Sequence, residues 1–171
     1  MANFNPAFEK MIVDEGGYVL HTVPGDTGGM TYAGIARNPN PHWPGWNIID
    51  QGGRDNPLLT GMVRKFYKVE FWDRLRGDEI TQQVVAESIF NFGVNTGIKV
   101  AVKLAQLIVG ATPDGAVGPV TLQKFNSVEP DSFKKSYALA KITRYADICN
   151  KNRTQSKFLL GWINRTLSGL K

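Results

Sequence analysis

The sequence holds a single cysteine, Cys149, in 171 residues, so no intramolecular disulfide can form. Cys149 falls among apolar residues of an expected helix, with no histidine near it. That pattern reads as a buried, inert thiol rather than a nucleophile. Histidine is nearly as scarce. His21 and His42 are the only two, and neither has a partner at metal-ligand spacing, so no metal and no cofactor is expected. A glycine-rich phosphate loop is missing. No apolar run reaches the roughly 18 residues of a transmembrane helix, so no membrane anchor is expected. The first residues carry neither a basic start nor an apolar stretch, so no signal peptide is expected. Lysine and arginine are scattered rather than bunched, which argues against a nucleic-acid partner.

What is present is ordinary for a globular chain: 42% apolar and 20% charged residues. The length fits one compact domain or two small lobes. The net charge of +5 suits a polyanionic partner, without choosing among nucleic acid, membrane and cell wall.

Apolar spacing predicts a mainly α fold. Phe4 to Glu15 reads as a helix, capped by Asn5 with Pro6 in its first turn. Gly16-Gly17 stops it. Tyr18 to Ile35 is rich in glycine, threonine and β-formers, predicting a short hairpin or an irregular loop. Residues 38 to 57 hold four prolines together with Trp43 and Trp46, predicting a long surface loop. Helices are then expected over 57–75, 81–92, 98–109, 120–125, 130–150 and 155–167. A small β element is thus inserted after the first of many helices.

One residue breaks the pattern. Phe4, Phe8, Ile12 and Glu15 share one face of the first helix, placing a carboxylate on an apolar stripe. Burial raises the pKa of a carboxylate, and the negative end of the helix dipole pushes the same way. A glutamate tuned toward neutrality suits a general acid that protonates a glycosidic oxygen. Glycoside hydrolysis also asks for a second carboxylate or an activated water. Asp26 lies in a glycine-rich turn a short way on, and the Thr31 hydroxyl can hold a water. The same three residues read equally well as a solvated helix end, a turn residue and a strand residue. Asp14, the nearest rival acid, is rotated about 100° off the stripe.

The motifs are more specific than the periodicity. Asp14-Glu15-Gly16-Gly17-Tyr18, followed by Pro24 to Ile35 (PGDTGGMTYAGI), resembles family 108 of the glycoside hydrolases. Phe71 to Asp78 (FWDRLRGD) and Phe90 to Gly97 (FNFGVNTG) resemble the two motifs that follow there. Ala105 to Leu122, with its Asp114-Gly115-Ala116-Val117-Gly118-Pro119 core, and Phe158 to Arg165 resemble the small peptidoglycan-binding module that accompanies this catalytic region. The resemblance implies a lysozyme-like, mainly α fold with a small β-hairpin after the first helix and a C-terminal helical lobe. It divides the chain into a catalytic region over 1–94 and a peptidoglycan-binding region over 95–171.

The implied activity is that of an N-acetylmuramidase cutting the β-1,4 bond between N-acetylmuramic acid and N-acetylglucosamine, with Glu15 as catalytic acid. Members occur as phage endolysins and as secretion-associated muramidases. The order Glu15, Asp26, Thr31 also resembles the Glu, Asp, Thr series of T4-type phage lysozymes, although the spacing differs. Tyr18 and Tyr32 are candidates to line a sugar groove, or equally to pack in strands. Asn91 is a candidate to bond substrate amides, or to cap its helix. The region from Asn38 to Pro57 is longer than the family pattern leads one to expect. Two alternatives stay open: a lytic transglycosylase, and a non-catalytic wall-binding accessory of secretion. The expected partner is peptidoglycan, bound by a monomer that another factor delivers to the periplasm or wall.

Overall fold

The computed structural model describes residues 1–22 and 29–170. The chain divides into two compact units, Asn3–Asp73 and Arg74–Lys171, the latter joined by Met1–Ala2.

The first unit opens with α1, Phe4–Asp14. Its cap is Asn3 rather than Asn5: the Asn3 side chain accepts the Asn5 amide at 2.9 Å from an extended backbone. Asn5 instead accepts a hydrogen bond from Arg64. Phe4, Ala7, Phe8, Met11 and Ile12 are buried along one side, as the spacing predicts. Three short antiparallel strands follow: β1 (Leu20–Thr22), β2 (Met30–Tyr32) and β3 (Ile35–Ala36). Leu20 pairs with Tyr32 and Thr22 with Met30, while Tyr32 pairs with Ile35.

The proline-rich stretch is not a plain surface loop. It contains α2, Gly45–Asp50, with Trp46 buried within it and Trp43 buried just before it. The two indoles meet edge to face at 5.1 Å, and Trp46 Nε1 donates to the Asn40 carbonyl at 2.8 Å. Arg37 forks onto Asp50 through two 2.7 Å bonds and covers Trp46. The prolines shape the path of this segment, and its tryptophans supply the core. Next comes α3, Leu58–Tyr67, which runs on as a wider π-turn over Lys68–Trp72.

The second unit is helical: α4 (Gln83–Thr96), α5 (Ile98–Ile108), α6 (Pro119–Ser127), α7 (Pro130–Lys151) and α8 (Ser156–Ser168). The loop between α5 and α6 is organised by Gln106, which is fully buried. Its Nε2 lies 2.8 Å from Asp114 Oδ1, 3.0 Å from the Ala116 carbonyl and 3.2 Å from Thr121 Oγ1. Its Oε1 accepts the Gly115 amide at 2.8 Å. Asp114 also accepts the Ala116 amide, and these two bonds, the backbone one foremost, hold its carboxyl below the ordinary range. Gly115 sits at φ +82°, where a Cβ would meet Lys99 Cγ at 2.6 Å. Arg76 reaches the same loop, donating to the Val117 carbonyl at 3.2 Å while it forks onto Glu79. The Asp-Gly motif of this loop is thus accounted for by folding.

No helix among the described residues is long and apolar enough to cross a membrane.

Candidate active site

Glu15 is half-buried and caps the C-terminus of α1. The Gly16 amide donates to the Val13 carbonyl at 3.0 Å, and the Gly17 amide to the Ile12 carbonyl at 2.8 Å. This pair of bonds is a Schellman ending, which demands a left-handed residue directly after the cap. Gly16 supplies it at φ +85°. The two glycines therefore fix where the Glu15 side chain leaves the helix.

A second element meets that side chain. The loop joining β2 to β3 has two residues, Ala33 and Gly34, at φ +48° and +78°. Both are left-handed, which defines a type I′ hairpin turn. A Cβ on Gly34 would lie 3.1 Å from Glu15 Oε2 and would also strike the Tyr67 hydroxyl. Glycine is needed here both for its backbone and for the space it leaves. Ala33 pays a steric penalty for its conformation. Two bonds hold it there: its amide donates to the Val19 carbonyl at 3.2 Å, and its carbonyl accepts the Tyr67 hydroxyl at 2.9 Å.

Tyr67 projects from α3 and is buried. Burial first, and then the negative charge of Glu15, push its phenol well above the ordinary tyrosine range. It therefore stays protonated and keeps its one donor on Ala33. Tyr67 falls inside the helix expected over 57–75 and was not among the sequence-derived candidates. The available signal was its hydroxyl, since a buried phenol needs a hydrogen-bond partner.

The other sequence-derived candidates fall in different settings. Thr31 is half-buried at the centre of β2, opposite His21 and Ala36. Tyr18 is 38% exposed just before β1. Tyr32 is only 4% exposed, stacks on Trp43 at 6.1 Å, and has its hydroxyl 3.5 Å from the Arg54 carbonyl. Its ring belongs to the packing of the first unit. Asp26 lies outside the described residues. Asn91 belongs to the second unit, inside α4 rather than at its end. Its Oδ1 is buried with no hydrogen-bond partner among the described residues, and its carbonyl accepts Asn95 Nδ2 at 2.8 Å. Among the described residues, no group of three or more His, Cys, Asp or Glu side chains is placed to hold a metal.

The model of the glycosyl hydrolase 108 family matches residues 8–97, which include Glu15, the hairpin and Tyr67. The chain belongs to this family. Residues 100–167 match a second model, described as a predicted peptidoglycan domain. The chain is therefore a glycoside hydrolase carrying a peptidoglycan-binding domain, and peptidoglycan is its partner. The fold is similar to that of SagA from Brucella abortus, with a TM-score of 0.65 at 21% identity. That likeness covers 98% of this chain and 95% of the other. It bears out the mainly α, lysozyme-like architecture with a small sheet after the first helix. No curated protein matches the chain. The two family models meet between residues 97 and 100, whereas the compact units divide between Asp73 and Arg74.

Proposed function

We propose that the chain is an N-acetylmuramidase, hydrolysing the β-1,4 bond from N-acetylmuramic acid to N-acetylglucosamine with Glu15 as general acid. The observation that carries this reading is the setting of Glu15. Its carboxyl group is aimed by a Schellman ending and backed by the Gly34 turn, beside a tyrosine whose proton is committed elsewhere. A proton donor must be held close to its target through the transition state, and this support fixes one.

In the proposed reaction Glu15 protonates the glycosidic oxygen as the bond to the sugar breaks. The sugar carbon acquires oxocarbenium character, which a carboxylate on the other side stabilises. Asp26 takes that part and accepts the proton of the attacking water, which the Thr31 hydroxyl orients. Tyr18 offers a half-open aromatic face to the sugar, while Tyr32 supports from within. The protein works in the periplasm or wall after delivery by another factor.

Mass spectrometry of muropeptides released from purified sacculi tests the reaction type. Hydrolysis leaves N-acetylmuramic acid at new reducing ends. Anhydromuramic ends mean a lytic transglycosylase, and N-acetylglucosamine reducing ends mean cleavage of the other bond. Binding to sacculi without any release means a non-catalytic wall binder.

A further inference from the structure

The motif from Phe158 to Arg165 lies within α8. Phe158, Trp162 and Arg165 follow one another at spacings of four and three, so they share one flank of the helix. Phe158 is 46% exposed, and Arg165 is exposed as well. The half-buried Trp162 stacks on Phe158 at 6.0 Å, and Tyr145 of α7 backs Trp162 at 5.2 Å. The three rings form a row that begins in the core at Tyr145 and ends in solvent at Phe158. Lys157 Nζ lies 4.9 Å from the ring centre of Phe158.

Gly161 stands on the same flank, between Phe158 and Arg165, in the middle of the helix. Apart from proline, glycine is the poorest helix former. Packing within the protein does not call for it, because a Cβ there would meet nothing within 4 Å. An exposed ring beside a bare stretch of backbone is a surface onto which a flat ligand can settle closely.

Charge adds a second character. Bases are spread along the whole chain, but the acids end at Asp147. Five bases and no acid follow it. The rest of the chain holds equal numbers of the two, so the net charge of +5 is carried by this stretch. Lys157 and Arg165 belong to it, and neither forms an ion pair among the described residues.

We propose that this flank of α8 is a sugar-stacking site for the glycan strand of the wall. A pyranose ring lies over Phe158 and Gly161, while Lys157 and Arg165 hold carboxylates of the strand. A pyranose offers an apolar C–H face to an aromatic ring. Muramic acid adds a carboxyl group on its lactyl ether, either free or bearing the peptide stem, and cations pair strongly with such groups. The proposal rests on peptidoglycan being the partner. An anionic membrane fits the geometry less well. A helix lying on lipid gathers its exposed apolar residues on one face. At about 100° per residue, the exposed Leu160 and Leu167 stand about 160–180° around the helix from Phe158.

The test uses the full chain with Glu15→Gln, titrated with glycan strands stripped of their peptides and followed by calorimetry. Phe158→Ala and Gly161→Ala are each expected to weaken binding about tenfold, which is about 1.4 kcal/mol. Phe158→Tyr is expected to keep most of it. Gly161→Ala is also expected to raise the melting temperature, so its loss of binding does not come from a damaged fold. Lys157→Gln combined with Arg165→Gln is expected to weaken binding and to flatten its dependence on salt. Unchanged binding by both Phe158→Ala and Gly161→Ala overturns the site. So does binding to vesicles of anionic phospholipid that falls with these variants while binding to glycan holds. If the Glu15→Gln chain binds neither glycan strands nor sacculi, the peptidoglycan reading falls instead. Continued release of reducing ends by that chain overturns only the choice of acid.

Discussion

The carboxylate of Glu15 lies against the α-carbon of Gly34, so close that a methyl group there would sit 3.1 Å from Oε2. The two residues come from the end of a helix and the tip of a hairpin. Gly34→Ala is expected to act in two ways. The left-handed backbone costs alanine about 1–2 kcal/mol. The added methyl also displaces Glu15, and a shift of about 1 Å at a reacting group can cost roughly a hundredfold in rate. A variant that melts a few degrees lower yet loses most of its turnover on sacculi fits this account. Normal turnover at full occupancy does not.

Tyr67→Phe removes one oxygen and leaves the Ala33 carbonyl buried without its donor. The expected loss is about 1–3 kcal/mol in denaturant unfolding. The hairpin turn is also expected to loosen, visible as faster amide exchange at Ala33. Unchanged stability and exchange would mean that the strained turn is held by its other bond, to Val19.

Gln106 organises the second unit as Tyr67 does the first. Gln106→Leu matches its bulk but strands the Gly115 amide and the Thr121 hydroxyl. A loss of about 2–3 kcal/mol is expected, for two partners left unpaired. Proteolysis is expected to nick the loop between Thr112 and Gly118. A variant as stable as the parent would remove Gln106 from this role.

Lys141 gives a prediction in pH. Its folded value of about 8 lies below its ordinary 10.5. Between these values the unfolded chain binds more protons than the folded one, so this residue makes stability rise with pH. Below about pH 8 its burden is complete, at about 3 kcal/mol for a shift of this size. Lys141→Met is therefore expected to stabilise the protein at pH 7, by less than that figure after losing its contacts with the Tyr137 and Phe92 rings. The gain shrinks toward pH 10. A variant less stable at pH 7 contradicts an unpaired, desolvated ammonium.

Much of this was legible in the sequence because helices repeat their apolar residues at a fixed phase. That phase located α1, and it singled out Glu15 as the carboxylate on its apolar side. The Gly16-Gly17 ending was equally readable, since few residues accept a left-handed backbone. Trp43 and Trp46 were harder. The prolines around them read as a loop, while their buried indoles answer to contacts distant in sequence. Asn3 and Asn5 are both good caps, and the choice is made by the Asn5 amide bonding to Asn3 and by Arg64 engaging Asn5. Tyr67 and Gln106 were hidden for one reason. Each is a polar atom on an apolar face, and its partner lies on another element that spacing alone does not reveal.

The central claim is that Glu15 delivers the proton, and its most direct measurement is release of reducing ends from purified sacculi by Glu15→Gln. The substitution keeps the shape of the side chain and removes its acid. The variant is expected to fold normally, to sediment with sacculi still, and to release almost no new reducing ends. Release at the parent rate would contradict it and move the acid elsewhere in the chain.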